Sequence, residues 1–298
     1  MSQWRDNIRR VEPYVPGEQP KEKNVIKLNT NENPYGPSPR VQMVKENMDD
    51  LRLYPDPTAG ALVDALAEYH GVNPNQVFVG VGSDDVLSMA FLTFFNAKKP
   101  IRFPDITYSF YDVWAELYRI PYEQPALDEN FKIRREDYYG ENGGVVFPNP
   151  NAPTGIAEDL EFVEDIISHN PDVVVIVDEA YVDFGGTSAL SLIDKYENLL
   201  VVRTFSKSRS MAGLRIGYAI GQPELIRALN DVKYSFNSYT MNRPSLLLGV
   251  ESIRDEAYFR ETVAGIIRTR EQFGEEMKKL GFTFPDSMSN FIFASHKK

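Results

Sequence analysis

From Tyr54 onward, apolar positions alternate between helical and strand periodicity. Leu62, Leu66 and Tyr69 recur at helical spacing, with Thr58 as the predicted N-cap and Gly71 as the stop. Gln76–Val79 reads as a short strand, after which Ser83 and Asp84 open an apolar helix through Phe95. In the stretch from Asp159 to Ser168, Leu160, Val163 and Ile167 share one face of an amphipathic helix. The continuous β-branched run after Asp172 predicts a strand buried on both sides of a parallel sheet, and Leu199–Arg203 and Ile216–Ile220 predict two more. Strands alternating with helices imply an α/β domain with a mainly parallel sheet. Before this block, residues 1–40 carry proline, asparagine and charge with little periodicity, and predict an extended arm with a short strand near Val25–Leu28. After about Arg243 the pattern becomes helical as far as Leu280, and the tail then returns to β-type residues around Phe291–Phe293. The expected division is an arm (1–40), a large α/β domain (41–243) and a smaller α+β piece (244–298).

Composition narrows the function. With 32 basic and 43 acidic side chains the formal charge is −11, opposite in sign to the basic footprint that nucleic-acid binding needs. The chain has no cysteine, which removes thiolate catalysis and Cys-ligated metal. Its three histidines, His70, His169 and His296, are scattered, so no histidine-built metal site is expected. No apolar run approaches the ~20 residues that span a bilayer, and the amino terminus shows no signal-peptide pattern. A cytoplasmic protein with neither membrane nor nucleic-acid partner is the expectation.

Four segments carry candidate chemistry, each near the carboxyl end of a predicted strand, where open α/β sheets bind ligands. Val79-Gly80-Val81-Gly82-Ser83-Asp84-Asp85 is either a plain strand-to-helix turn or an anion site at a helix start; it is neither a dinucleotide fingerprint nor a P-loop. Asn149-Pro150-Asn151-Ala152-Pro153-Thr154-Gly155 is either a structural turn or a rigid loop whose asparagine amide can donate to a ligand oxygen. Asp178 ends an apolar strand, as a helix cap or as a carboxylate awaiting a ligand cation. Lys207 follows a buried strand, flanked by Ser206 and Ser208, with Arg215 downstream. Desolvation and neighbouring cations lower a lysine's proton affinity and make it a nucleophile. An anion-binding helix start, a buried carboxylate, a hydroxyl–lysine pair and an arginine together match what pyridoxal 5′-phosphate requires.

NENPYG, YPDP, GSDD, NPNAPTG, DEAY and SKSRSMAGLRIG, in this order, resemble the fold-type I pyridoxal-phosphate-dependent aminotransferases and, within them, the histidinol-phosphate branch. The match runs from about Tyr14 to the C-terminus. The resemblance implies that Lys207 bonds the cofactor's aldehyde and then shuttles a proton, that Asp178 pairs with its ring nitrogen, and that Tyr181 donates to its ring oxygen. Tyr108 would stack on the ring, while Ser83, Asp84, Ser206 and Arg215 would hold the phosphate. Tyr54 would reach the phosphate of a neighbouring subunit, implying a homodimer with shared sites. Tyr14 and the Asn31–Tyr35 stretch, with Asn33 and Tyr35 as its candidate contacts, would cover the substrate. Where much of the family has the asparagine that contacts the cofactor, this chain has Ala152; either Asn151 takes over or Tyr181 acts alone. Relatives also continue beyond the expected strand at Phe291–Phe293, so the small domain is expected to be truncated, with an acid-binding arginine beyond Lys298 and weakened transamination. The implied reaction is amino transfer from L-histidinol phosphate to 2-oxoglutarate. Aromatic aminotransferase and phospho-amino-acid decarboxylase activity of the same fold are the rivals, together with a cofactor-binding protein of little activity.

Overall fold

β-Branched runs build the centre of the molecule. The structure, a computed structural model, describes residues 8–16, 26–45 and 48–297. Strands β1 (Val77–Gly80), β2 (Ile101–Arg102), β3 (Tyr122–Glu123), β4 (Gly144–Pro148), β5 (Val175–Asp178), β6 (Leu199–Thr204) and β7 (Gly217–Gly221) form one seven-stranded sheet. Their order is β1-β7-β6-β5-β4-β2-β3, with β7 antiparallel to both neighbours and every other pairing parallel. The register sets Pro148 beside Asp178 and Asp178 beside Val202, so three parallel strands end at one edge.

Because successive strand residues face opposite sides, the sheet feeds two cores. Val145, Phe147, Val175, Val177, Leu199 and Val201 point one way, toward α2 (Gly60–His70), α5 (Leu160–Ser168) and α7 (Arg243–Ile253). Val146, Ile176, Leu200 and Val202 point the other way, toward α3 (Ser83–Phe94), α4 (Tyr111–Tyr118) and α6 (Pro223–Phe236). A short α1 (Pro39–Met43) and the long α8 (Glu256–Lys279) complete the α-helices of the described residues. None of these helices is long and apolar enough to cross a membrane.

The mainly parallel α/β core stands where the periodicity put it, with several local differences. Thr58 does not cap α2: the Asp56 carboxylate accepts from the Gly60 and Thr58 amides, and Ala59 takes the left-handed turn into the helix. Gly71, with φ +69°, ends that helix as expected. No strand forms at Ile26–Leu28, and Val25 lies outside the described residues. The run after Asp172 becomes a strand only from Val175, where pairing with β4 and β6 begins.

The helical stretch after Arg243 is broken at Arg254–Asp255, where the Asp255 side chain caps α8 by accepting from the Tyr258 amide. The change of character near residue 244 is not a break in packing, since Leu246, Val250 and Ile253 of α7 share a core with Leu62 and Ile216. The tail forms no strand at Phe291–Phe293; a single bridge joins Thr283 to Ser295. Side chains bind this segment to the body instead. Arg270 donates to the carbonyls of Phe184 and Ser289, and the Phe291 ring stands edge-on to Tyr181.

Candidate active site

At the carboxyl edge of β4, β5 and β6 three loops leave the sheet together. Asp178, the last residue of β5, is buried and accepts from the Tyr111 hydroxyl at 2.9 Å and the Ala180 amide at 3.1 Å. Among the described residues no basic side chain forms an ion pair with it. Burial therefore pushes its carboxyl up to about 6, with Asp84 and Glu179 adding repulsion and the two hydrogen bonds opposing. Such a carboxylate is incomplete without a cationic partner.

Beyond β6 the backbone makes a tight hydroxyl-lined turn. The Thr204 hydroxyl donates to Ser206 Oγ at 3.0 Å and accepts from the Ser206 amide at 3.1 Å, fixing the approach to Lys207. Lys207 Nζ donates to the Thr30 carbonyl at 2.8 Å and lies 5.5 Å from the centre of the Tyr181 ring. Burial draws its ammonium down to about 8, with Arg215 contributing and Asp84, Glu32 and Asp178 opposing. An ammonium that gives up its proton more readily than an ordinary lysine favours the amine as a nucleophile.

The start of α3 supplies the anion end. Gly82, its N-cap, has φ +85° and offers no side-chain cap, so the amides of the first turn remain for a ligand. A Cβ on Gly82 would fall 2.6 Å from Arg215 Nη2, and one on Gly217 would fall 2.3 Å from the Ser83 nitrogen; the three segments can close together only with glycine at both positions. Arg215 itself donates to Asp84 Oδ2 at 2.8 Å, and Asp84 Oδ1 accepts from the Tyr108 hydroxyl at 2.7 Å. An uncapped helix start, a hydroxyl and an arginine at one end, with an amine and an unpaired buried carboxylate at the other, fit pyridoxal phosphate.

The structure thus brings together Ser83, Asp84, Tyr108, Asp178, Tyr181, Ser206, Lys207 and Arg215. Tyr14 is beside them, its ring 4.2 Å from that of Phe110, which in turn contacts Tyr108. Asn33 enters differently from expectation: its amide donates to the carbonyls of Lys207 and Ser208 at 2.8 and 3.3 Å, gripping the lysine turn. Tyr35 turns away, its hydroxyl resting against Gly265 of α8. Tyr54 is 80% exposed, its ring tilted against that of Tyr239 at 4.7 Å.

Asn151 is not a free donor. Its Oδ1 accepts from Thr107 at 3.0 Å, while Nδ2 donates to the Ile106 carbonyl and to Thr154. That amide holds its own loop, and Ala152 offers only a methyl group to the apolar cluster around Tyr181.

Two groups escaped the sequence reading. Tyr111, the first residue of α4, follows Tyr108 by three residues in the same aromatic segment. The second is a buried network with no local signature: Arg203 pairs with Glu179 at 2.9 Å and lies 3.6 Å from Asp183, which accepts from Ser208. It ties the loop after β5 to the lysine turn.

Comparison with known proteins gives a consistent outcome. The family model "Aminotransferase class I and II" matches residues 23–298. A histidinol-phosphate aminotransferase of Lactococcus lactis subsp. cremoris (strain SK11) is 53% identical over 297 residues, covering 99% of this chain and 83% of the relative. One from Pseudomonas putida (strain KT2440) is 53% identical over 295 residues, covering 98% and 85% respectively. Among solved structures, histidinol-phosphate aminotransferase from Sinorhizobium meliloti in complex with pyridoxal-5′-phosphate superposes with a TM-score of 0.82 at 26% identity, covering 90% of this chain and 75% of that one.

Proposed function

The chain belongs to the class I and II aminotransferases, and on that premise we propose that it transfers the amino group of L-histidinol phosphate to 2-oxoglutarate in histidine biosynthesis, with pyridoxal 5′-phosphate as cofactor. The observation that carries this reading is that the buried carboxylate of Asp178, which has no ion-pair partner among the described residues, and the amine of Lys207 stand at the same sheet edge, in a chain 53% identical to a histidinol-phosphate aminotransferase. When bound, pyridoxal phosphate supplies an aldehyde that bonds amines and a ring that withdraws electrons from the attached carbon.

The protein's own groups do the rest. Asp178 keeps a proton on the group it faces, and its burial excludes water that would weaken the contact. Lys207 accepts and returns the proton moved during transfer, since its neutral form is accessible near neutral pH. The first-turn amides of α3, Ser206 and Arg215 anchor the phosphate. Tyr108 covers one face, Tyr181 donates its hydroxyl proton into the site, Tyr14 borders the substrate, and Asn33 holds the lysine turn.

A homodimer belongs to the same reading. Tyr54, Tyr239, Leu51, Leu53 and Phe236 are exposed apolar groups, and they support a surface covered by a second copy that receives Tyr54 in its site. So does the division into an arm, a cofactor-binding domain and a smaller α+β piece, with α7 packed on the cofactor-binding domain. A cytoplasmic location without nucleic-acid or membrane partners completes it, supported by the acidic composition.

The test is an assay of the cofactor-loaded protein with 2-oxoglutarate and, in turn, histidinol phosphate, phenylalanine or phosphothreonine. Glutamate formed fastest from histidinol phosphate is the expected result. A faster reaction with phenylalanine, or carbon dioxide released from phosphothreonine, would overturn it.

A further inference from the structure

We propose that Asn31 is a positioning residue that holds the Tyr181 hydroxyl with its proton directed into the site. This rests on the cofactor reading above and adds to it a residue of the arm. Asn31 Nδ2 donates to the Tyr181 hydroxyl oxygen at 3.0 Å. A phenol has a single proton; an oxygen that accepts from an amide on one side keeps that proton for an acceptor on the other. The loop Asn149–Gly155 supplies no such amide, because Ala152 is apolar and all three hydrogen bonds of the Asn151 side chain stay within or beside its own loop.

Asn31 is built for the position. Its φ of +51° lies in the left-handed region, where asparagine is among the few L-residues tolerated. Thr30 before it has φ +63°, and this double kink sends the Thr30 carbonyl to Lys207 and the Asn31 side chain to Tyr181. From the far side, Asn290 Nδ2 donates to the Asn31 carbonyl at 2.9 Å, so the C-terminal segment fixes the kink in place. The Tyr181 ring has little freedom of its own, with Phe291 edge-on at 5.1 Å. The charged groups facing its hydroxyl are Asp178 at the end of β5, Asp84 in the first turn of α3 and Lys207 after β6.

Three variants of the cofactor-loaded protein separate the possibilities, read by the pH midpoint of the visible absorbance band. Asn31→Gly keeps the left-handed backbone and removes only the amide. Asn31→Asp keeps the shape but accepts the hydroxyl proton instead of donating to its oxygen. Tyr181→Phe is the reference. If Tyr181 donates to the cofactor's ring oxygen, losing that proton raises the midpoint by about 1 pH unit in Tyr181→Phe, a tenfold change in proton affinity. Asn31→Asp should approach that shift, and Asn31→Gly should move the same way by less, with circular dichroism melts confirming folded protein. Should both Asn31 variants keep the parent midpoint while Tyr181→Phe shifts it, Asn31 has no positioning role and the assignment of Tyr181 stands. If Tyr181→Phe also leaves the midpoint unchanged, both fall.

Discussion

The sheet edge and the arm both serve the same site, but they are built by different physics. Asp178 ends β5 and Lys207 follows three residues after β6, on two neighbouring, almost fully buried strands whose register sets Asp178 beside Val202. The arm has no regular structure from Ile26 to Ser38; side-chain hydrogen bonds made by Asn31, Asn33, Lys207 and Asn290 help to hold it, each across 150 or more residues of sequence. Groups that perform chemistry stand on the rigid framework, and groups that orient them arrive on a segment stabilised one hydrogen bond at a time, each worth roughly 0.5–1.5 kcal/mol. Substitutions at the edge should therefore remove chemistry, and substitutions in the arm should detune it.

Lys207→Ala is expected to have the largest effect, lowering turnover by at least about a thousandfold while the cofactor still binds through the anion end. Single-turnover rates and cofactor retention on dialysis check both halves. Asp178→Asn should slow turnover roughly a hundredfold with a much smaller loss of cofactor affinity.

The same variant has a separate stability signature without cofactor. The folded-state affinity of Asp178 for a proton is raised from the ordinary 3.8 to about 6, so its contribution to stability is lost as pH rises through that window and stays lost above it. Asp178→Asn should then melt higher than the parent above pH 6, by on the order of 1–3 kcal/mol after one weakened hydrogen bond, and show no gain below pH 4. Urea titrations at pH 4 and pH 7 decide it; an equal effect at both would mean the carboxylate is not strained by burial.

Asn33→Ala tests the arm. It removes the clasp on the Lys207 and Ser208 carbonyls and should lower kcat by about tenfold or less, since a neutral hydrogen bond is at stake. A loss as large as that of Lys207→Ala would erase the distinction between framework and arm.

That distinction also explains what the sequence disclosed. Asp178 and Lys207 were legible because β-branched runs announce buried strands, and a charged residue at the end of such a run needs a reason. The Gly82 segment was legible only as a plain turn or an anion site at a helix start, and the resemblance to the family supplied the role of Arg215. The arm contacts were not legible in atomic terms, since nothing local tells an asparagine which distant carbonyl it will reach. Asn151 misled for the same reason: an amide in a rigid loop is a donor, but its partners, Ile106 and Thr107, arrive from another loop. The tail misled differently. Its β-type residues are there to pack Phe291 against Tyr181, not to pair in a sheet.

Burial alone does not single out the reactive amine. Lys233 is buried where Lys207 is only partly so, and burial also lowers its proton affinity, yet it donates to the Pro57 and Val79 carbonyls at 3.1 and 3.5 Å and faces Asp85 and Asp56. Lys207 differs by standing at the sheet edge within reach of Asp178, Tyr181 and the start of α3. Borohydride reduction of the cofactor-loaded protein, followed by peptide mapping, distinguishes the two directly. The cofactor fixed to Lys207 is the expected result; a label on Lys233, or on any other lysine, would contradict the assignment of the sheet edge as the catalytic site.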